Sequence, residues 1–305
     1  MPTHEAYERQ VALLVRVLPI VGEEETFALK GGTAINLFFR DLPRLSVDID
    51  LTYLPIEDWA ASVVGIETGL TRIASKVRER IPHSQVNLAR NAEGQVVKAH
   101  IQAGAAVKIE VTPVSRGVVF QPSRMTVVAS VEDRFGFAET QVVSHADLYA
   151  GKLVAALDRQ HPRDLFDAGL LLDGEGVSDE LRTAFVAYLL SSPRPMHRVL
   201  NAPKRPLQPR YDQEFVGMTS LPATLDGLEA IRERAIQAIV GDMPAEHRQF
   251  LMSFKRGTPE WDLLAVSHIA DLPAVRGRQA RLEALDKEAR ANQVRLLAEA
   301  LGEPE

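Results

Sequence analysis

The chain contains no cysteine among its 305 residues. This absence excludes disulfides, thiolate metal sites and cysteine nucleophiles, and it agrees with a reducing, cytoplasmic location. Long apolar runs are also missing. The stretch "VALLVRVLPIV" (11–21) is short and interrupted by Arg16, so we expect neither a signal peptide nor a membrane-spanning helix.

Three familiar catalytic motifs are absent as well. The sequence has no H-x-x-x-H, no G-x-x-x-x-G-K-[ST] and no G-x-S-x-G. Zinc hydrolysis, Walker-type ATP use and serine-esterase chemistry therefore lack support. Any catalytic chemistry must be built from other side chains.

The composition is that of a folded protein with an acidic balance. Apolar residues make up 46% of the chain, which allows a sizeable core, and the net charge is −6. The charge is uneven, because the segment 193–211 holds five Lys/Arg, one His and no acid. Such a segment is either a solvated connector or a surface that binds a phosphate backbone.

The hydrophobic period changes once along the chain. Up to residue 143 the pattern predicts helices at 5–19, 33–40 and 58–80 with strands at 26–30 and 46–54, then a strand meander followed by strand-like pieces around 117–130 and 136–143. From 144 onwards it predicts mainly helices, near 145–158, 163–172, 178–191, 223–240, 244–255 and 276–300, with a proline-rich loop at 193–209. We therefore predict an α+β domain at 1–143 and a helical domain at 144–305.

The strand "SVDIDLTYL" (46–54) places Asp48 and Asp50 on one face, because side chains alternate along a strand. Two carboxylates about 5–6 Å apart repel each other by roughly 3 kcal/mol at an effective dielectric constant near 20. Water tolerates this on a solvated face, whereas a partly buried pair needs a shared proton or a cation. A divalent ion such as Mg²⁺, completed by substrate phosphates, is the simplest remedy.

A glycine pair precedes this strand in "LKGGTAINLFF" (29–39). Gly31 and Gly32 allow a tight turn and close approach to a ligand, and the following helix presents free N–H groups to an anion. Thr33 adds a hydroxyl group and Lys30 adds a positive charge. A lone glycine pair before a helix is more often structural, but the order of turn, helix and D-x-D strand favours a nucleotide–metal site.

Two further groups are candidates for the same chemistry. Glu110 in "AAVKIEV" (105–111) is a possible third metal ligand, although a strand with Lys and Glu two apart is usually a solvated face. In "DLYAGKLVAALDRQHPRDLFDAGLLL" (147–172), the functional interpretation places Lys152 on a triphosphate and gives Asp167 an orienting or proton-transfer role. The alternative is a salt-bridged helical hairpin, and in either case we expect Asp164 with Arg163 to hold the hairpin together. On the functional interpretation, Asp50→Ala and Lys152→Ala abolish activity with little change in melting temperature.

The stretch "LKGGTAINLFFRDLPRLSVDIDLTY" (29–53) resembles the first motif of the AbiEii/AbiGii toxin family of nucleotidyltransferases, the type IV, MenT-like toxins. "KIEV" (108–111) is similar to the strand motif that follows, and "GKLVAALDR…RDLFD" (151–167) to the lysine motif with its downstream aspartate. The resemblance covers the N-terminal half well and the C-terminal half loosely. Many family members have serine where this chain has Thr33.

The resemblance implies a bacterial, cytoplasmic enzyme with a DNA-polymerase-β-like core, a mixed sheet with flanking helices, followed by a mostly helical domain. The implied reaction is NMP transfer from an NTP, with Mg²⁺ or Mn²⁺, onto an RNA acceptor such as the tRNA 3′ end. A cognate antitoxin would be encoded nearby. Its site residues would be the metal ligands Asp48 and Asp50, the phosphate contact Lys152 and the catalytic partner Asp167.

Two alternatives to this function remain at the sequence level. One is a non-catalytic nucleotide-binding regulatory module that keeps the fold. The other is a nucleotidyltransferase whose acceptor is a small molecule or a protein. Acceptor choice would depend on the helical half, where the sequence is least informative.

Overall fold

The computed structural model describes residues 4–303 of the chain. The chain folds into two compact units. The first contains the described residues up to Ser144 together with Met218–Leu221, and the second contains His145–Gly217 and the described residues from Pro222 onwards. Within the described residues, no helix is long and apolar enough to cross a membrane.

The first unit is built on a mixed sheet, in which the described residues form seven strands in the order β3-β4-β5-β2-β1-β7-β6. β2 pairs in parallel with β5 and antiparallel with β1, and β1 pairs in parallel with β7. The strands are β1 Phe27–Lys30, β2 Asp48–Tyr53, β3 Gln85–Arg90, β4 Val96–Gln102, β5 Ala106–Val111, β6 Ser123–Thr126 and β7 Glu139–Val142. The mixed sheet with flanking helices confirms the predicted α+β class.

The helices α1, α2 and α3 of the first unit pack on this sheet, and α4 packs against α1. Their bounds are α1 His4–Val21, α2 Gly31–Ala34, α3 Trp59–Arg80 and α4 Ala129–Phe135. α2 continues into a π-helical turn, Ile35–Phe39. α3 is amphipathic: Ile66, Leu70, Ile73 and Val77 recur at helical spacing and are buried. The Asp58 side chain caps α3 by accepting the Ala61 N–H at 2.8 Å.

The second unit is helical throughout its described part. Its α-helices are α5 His145–Arg159, α6 Pro162–Asp173, α7 Asp179–Ser191, α8 Met196–Asn201, α9 Gln208–Glu214, α10 Leu225–Ile236, α11 Ala245–Arg256, α12 Pro273–Glu283 and α13 Lys287–Leu301. A π-helical turn, Gln237–Gly241, extends α10, and 3₁₀ turns lie at Trp261–Leu263 and Ser267–Asp271. α5 packs against α6 and α7, and its buried side chains include Leu153 and Leu157.

Three sequence predictions need correction. The strand-like piece around 117–130 contains β6, but its last residues belong to α4, which begins at Ala129 although the preceding Val127 and Val128 favour a strand. The expected loop 193–209 contains α8 and the start of α9, since Pro195 and Pro209 lie at helix N-termini, where proline is tolerated. The single helix expected at 276–300 is two, because the Asp286 side chain caps a new helix by accepting the Ala289 N–H.

Candidate active site

One face of the central strands carries most of the charged candidates of the first unit. Ile49 and Leu51 of β2 are fully buried, whereas Asp48 is exposed and Asp50 partly exposed, as the alternation predicts. In the strand registers, Asp50 faces Lys30 on β1 and Glu110 on β5. Residues paired in register share a face, so these side chains lie on one polar surface, the charged face of the sheet.

The glycine turn lies directly beside the aspartate. Gly31 has a φ of +75°, a conformation that side chains disfavour, and a Cβ built on it would come within 2.6 Å of Asp50 Oδ2. Position 31 therefore requires glycine for two reasons: the backbone has a positive φ, and a larger side chain would collide with the Asp50 carboxylate. The start of α2 and the D-x-D strand form one local unit, and Gly31 is in contact with the Asp50 side chain.

Thr33 holds this unit together from inside. It is completely buried, its hydroxyl donates to the Asp48 carbonyl at 2.6 Å, and its Oγ1 lies 3.1 Å from Ser46 Oγ. The hydroxyl thus joins α2 to the first residue of β2. The nucleotide contact that the sequence assigns to Thr33, together with those of Lys30, Gly31 and Gly32, stays a prediction.

Charges on this face perturb each other. Burial raises the pKa of the Asp50 carboxyl above its usual range; Lys30 opposes this shift, and the nearby carboxylates of Asp48 and Glu110 add to it. Burial likewise lowers the pKa of the Lys30 ammonium, although Asp50 and Glu110 oppose the change. A carboxylate crowded by two others is the electrostatic situation that a bound cation relieves.

Glu110 forms ion pairs with two lysines on the charged face. Its carboxylate lies 3.1 Å from Lys98 Nζ and 3.0 Å from Lys108 Nζ. Lys108 Nζ also lies 3.6 Å from Asp48 Oδ2. Burial alone would raise the pKa of the Glu110 carboxyl, but the two lysines outweigh this effect and the pKa is lowered.

These contacts decide how well the site fits a divalent ion. Among residues 4–303, no group of three or more His or carboxylate side chains is already arranged around a metal position. Asp48 and Asp50 do fit an ion of the Mg²⁺ type, since such ions bind through one or two carboxylates and take other oxygens from phosphate and water. Glu110 would join them only after release from Lys98 and Lys108, so its role as third ligand stays a prediction.

The second unit contains a separate ionic group that we call the lysine–aspartate cluster: Lys152 and Arg159 of α5 with Asp164 and Asp167 of α6. Lys152 Nζ lies 2.9 Å from Asp164 Oδ1 and 3.0 Å from Asp167 Oδ2. Arg159 Nε donates to Asp164 Oδ2 at 2.5 Å. Lys152, Asp164 and Asp167 are buried, the two aspartates at 2% and 0% exposure, whereas Arg159 reaches Asp164 from the solvent-exposed side.

The turn between the two helices explains how the cluster forms. α5 ends at Arg159, and His161 caps α6 by accepting the Arg163 N–H on its Nδ1 at 3.1 Å, with Pro162 at the helix start. This short connection brings the first turn of α6 back to α5. The carboxylate of Asp164 stays ionised: its burial opposes ionisation, but Lys152 and Arg159 more than offset it and hold the pKa far below the ordinary range.

Sequence reasoning missed some of these residues. It assigned Asp164 to a pair with Arg163, whereas Asp164 pairs with Lys152 and Arg159. The available signal was that Arg159 lies only five residues before Asp164, on the other side of a turn. It also overlooked Arg44. This buried side chain reaches the glycine turn, where a Cβ on Gly32 would meet its Nη2 at 2.5 Å. A basic residue between α2 and β2 was the available signal.

Comparisons with known proteins agree with this architecture. A family model described as nucleotidyl transferase AbiEii toxin, type IV TA system, matches residues 12–270. A solved structure, MenT4, a nucleotidyltransferase toxin from Mycobacterium tuberculosis H37Rv, covers 98% of this chain and 95% of its own, with a TM-score of 0.61 and 14% identity. That identity supports a shared fold alone. Curated protein sequences give no match.

Proposed function

Because the chain belongs to the AbiEii family of nucleotidyltransferase toxins of type IV toxin–antitoxin systems, we propose that it transfers an NMP from an NTP to an RNA acceptor, the 3′ end of tRNA. Pyrophosphate is the second product. The observation that carries the proposal is the contact of the Gly31 turn with the Asp50 carboxylate, beside Asp48 and Glu110 on one face. The motif resemblance and the recognised family point to the same chemistry.

The proposal gives each residue of the charged face a task. Asp48 and Asp50 would hold the divalent ion, Mg²⁺ or Mn²⁺, and Glu110 would be the third ligand once released from its lysine partners. The ion would supply positive charge against the negative charge that develops on the phosphates during transfer. Gly31 and Gly32 bring the backbone N–H groups of α2 to the triphosphate, and Lys30 and Thr33 line the same turn.

The second unit supplies the remaining residues of the proposal. Lys152 contacts phosphate through its ammonium group, and Asp167 orients it, in keeping with their 3.0 Å ion pair. The helical domain, 144–305 as the sequence divides the chain, carries the acceptor-binding surface. A cognate antitoxin is the expected partner, since toxins of this class act in toxin–antitoxin pairs, and we place the enzyme in the bacterial cytoplasm.

The direct test is label transfer. The full chain is incubated with tRNA, Mg²⁺ and each labelled NTP in turn, and we expect one nucleotide to label the tRNA 3′ end. Asp48→Asn and Asp50→Asn each lower the rate by roughly 100-fold or more, because a metal site contributes several kcal/mol to transition-state stabilisation. Glu139→Gln, which alters an exposed strand carboxylate paired with Arg124, is the matched control and keeps the rate.

The outcomes separate the alternatives. Label on a small molecule or on protein in a cell extract, with none on tRNA, would reject the RNA acceptor and keep the transferase. NTP binding by calorimetry that needs no divalent ion and persists in Asp48→Asn, without any transfer, would instead identify a non-catalytic regulatory module.

A further inference from the structure

The second unit contains a cavity that the proposed reaction does not use. Its volume is about 270 Å³, and it lies among α11, α12, α13 and the start of the basic segment. Its polar lining consists of Lys255, Arg278, Arg281 and Gln293, and its apolar lining includes Pro193 and Leu282. At roughly 30 Å³ for each water, this space equals about nine waters, so a small polyatomic ligand fits.

Two of the cations in the lining are buried. Lys255 is 1% exposed and Arg278 is 7% exposed, whereas Arg281 lies at the surface. Lys and Arg are almost never this buried unless they are paired with an acid. The partners of Lys255 and Arg278 therefore decide whether their charges are neutralised.

Their partners are neutral. Lys255 Nζ donates to the side-chain oxygen of Gln293. Arg278 donates to the backbone carbonyls of Leu190 at 2.6 Å and Arg194 at 2.9 Å, and also to that of Ser192. Within residues 4–303, neither Lys255 nor Arg278 nor Arg281 has a carboxylate at ion-pair distance.

Carbonyl and amide oxygens satisfy hydrogen bonds but do not neutralise charge. Burial and repulsion from Arg278 lower the pKa of Lys255 to about 8, and burial with repulsion from Arg281 lowers the pKa of Arg278 to about 10. Burying ions without a counter-charge is strongly unfavourable. An anion in the cavity would supply the missing counter-charge.

We propose that this cavity is an anion-binding site for a phosphate-bearing ligand, with Lys255, Arg278 and Arg281 as its cationic lining. Three cations call for more than one negative charge, which a phosphate group supplies and a single carboxylate does not. Arginine forks match phosphate oxygens, and lysine adds a point charge. The site takes either a free phosphorylated small molecule or the terminal phosphate of an RNA.

Calorimetry of the full chain with pyrophosphate, in the absence of divalent ions, tests the site directly. We expect binding to the wild type and a loss of roughly tenfold or more in affinity in Arg281→Gln, the effect of one charge-assisted hydrogen bond. Arg276→Gln is the matched control, because Arg276 lies on the same helix, is exposed, and pairs with Asp271 outside the cavity lining.

A second variant addresses the buried charge. Lys255→Met removes an uncompensated ion, so we expect it to fold with an unchanged or higher melting temperature and to lose the thermal stabilisation that pyrophosphate gives the wild type. The proposal is overturned if the wild type does not bind millimolar pyrophosphate, or if Arg281→Gln and Lys255→Met bind it as the control does.

The source of the phosphate is decided by a pair of RNA oligonucleotides that differ only in a 5′-phosphate or a 5′-hydroxyl. A preference for the phosphorylated form that disappears in Arg281→Gln assigns the site to an RNA terminus. Equal binding of both, with pyrophosphate binding intact, assigns it to a free phosphorylated molecule.

Discussion

At the scale of the residue, Gly31 couples backbone conformation to the position of a carboxylate. Its positive φ and its contact with Asp50 are two independent reasons why this position requires glycine. An alanine in a backbone with positive φ lowers stability at any position in a protein. The clash of the alanine Cβ with Asp50, in contrast, displaces the carboxylate beside this turn.

Gly31→Ala is therefore expected to lose about 1–2 kcal/mol of stability from the left-handed backbone alone, and more from the displaced Asp50 side chain. Nucleotide transfer should fall further than stability explains, because the carboxylate that the proposal assigns to the metal is pushed from its position. Urea denaturation and the label-transfer assay measure the two effects.

The chain offers a matched control for this change. Gly94 has a similar φ of +80° in a hairpin turn, and a Cβ there meets nothing within 4 Å. Gly94→Ala should show the backbone cost and keep full transfer activity. Equal activity in both variants would mean that the contact of Gly31 with Asp50 has no part in the reaction.

At the scale of the element, the α5–α6 hairpin is held by the lysine–aspartate cluster, and this changes one sequence-based expectation. The functional interpretation of the sequence expects Lys152→Ala to abolish activity with little change in melting temperature. Its burial against two nearly inaccessible aspartates shows a structural role as well. Function and fold share one side chain here, so loss of activity alone cannot assign its role.

Lys152→Met should lower the free energy of unfolding by about 3–5 kcal/mol, since removing one partner leaves buried carboxylates uncompensated. Denaturant titration at neutral pH measures this loss. Arg234→Met is the control, because its ion pair with Asp173 is exposed and such pairs contribute about 0–1 kcal/mol.

The pH dependence gives the same hairpin a second readout. The pKa of Asp164 is lower in the folded chain than in the unfolded one, so its stabilisation is fully present above the unfolded value of about 3.9 and is lost progressively as the pH falls from there towards the folded pKa. Acid should therefore cost the wild type more stability than it costs Asp164→Asn. Parallel curves for the two proteins would contradict the assigned pairing.

Elements also show where sequence reasoning succeeds and where it stops. The β2 alternation and the glycine turn are local, so the common face of Asp48 and Asp50 and the turn at Gly31 were predicted from spacing alone. Lys108 lies two residues from Glu110 on β5, so this neighbour was visible in the sequence. Lys98 comes from β4, and the pairing of β4 with β5 cannot be read from either strand alone. The break between α12 and α13 was missed because one capping aspartate outweighs a continuous helical pattern.

At the scale of the whole molecule, the chain carries a net charge of −6 while its proposed acceptor is a polyanion. RNA binding must then depend on local positive surface. In the segment 193–211, Lys204 is paired with Glu229 at 2.6 Å and Arg194 with Asp158 at 3.4 Å. The other three basic residues of the segment, Arg198, Arg205 and Arg210, are exposed and have no carboxylate at ion-pair distance within residues 4–303.

Replacing these three arginines with glutamine should weaken tRNA binding, and the salt dependence should weaken with it. Each phosphate contact contributes roughly 0.7–0.9 to the slope of log K against log salt, so loss of three contacts reduces the slope by about 2–3. Fluorescence anisotropy with labelled tRNA between about 50 and 200 mM salt measures both quantities. Lys204→Gln is the control, because its charge is already neutralised by Glu229. An unchanged slope in the triple variant would place the acceptor surface elsewhere and leave the segment as a solvated connector.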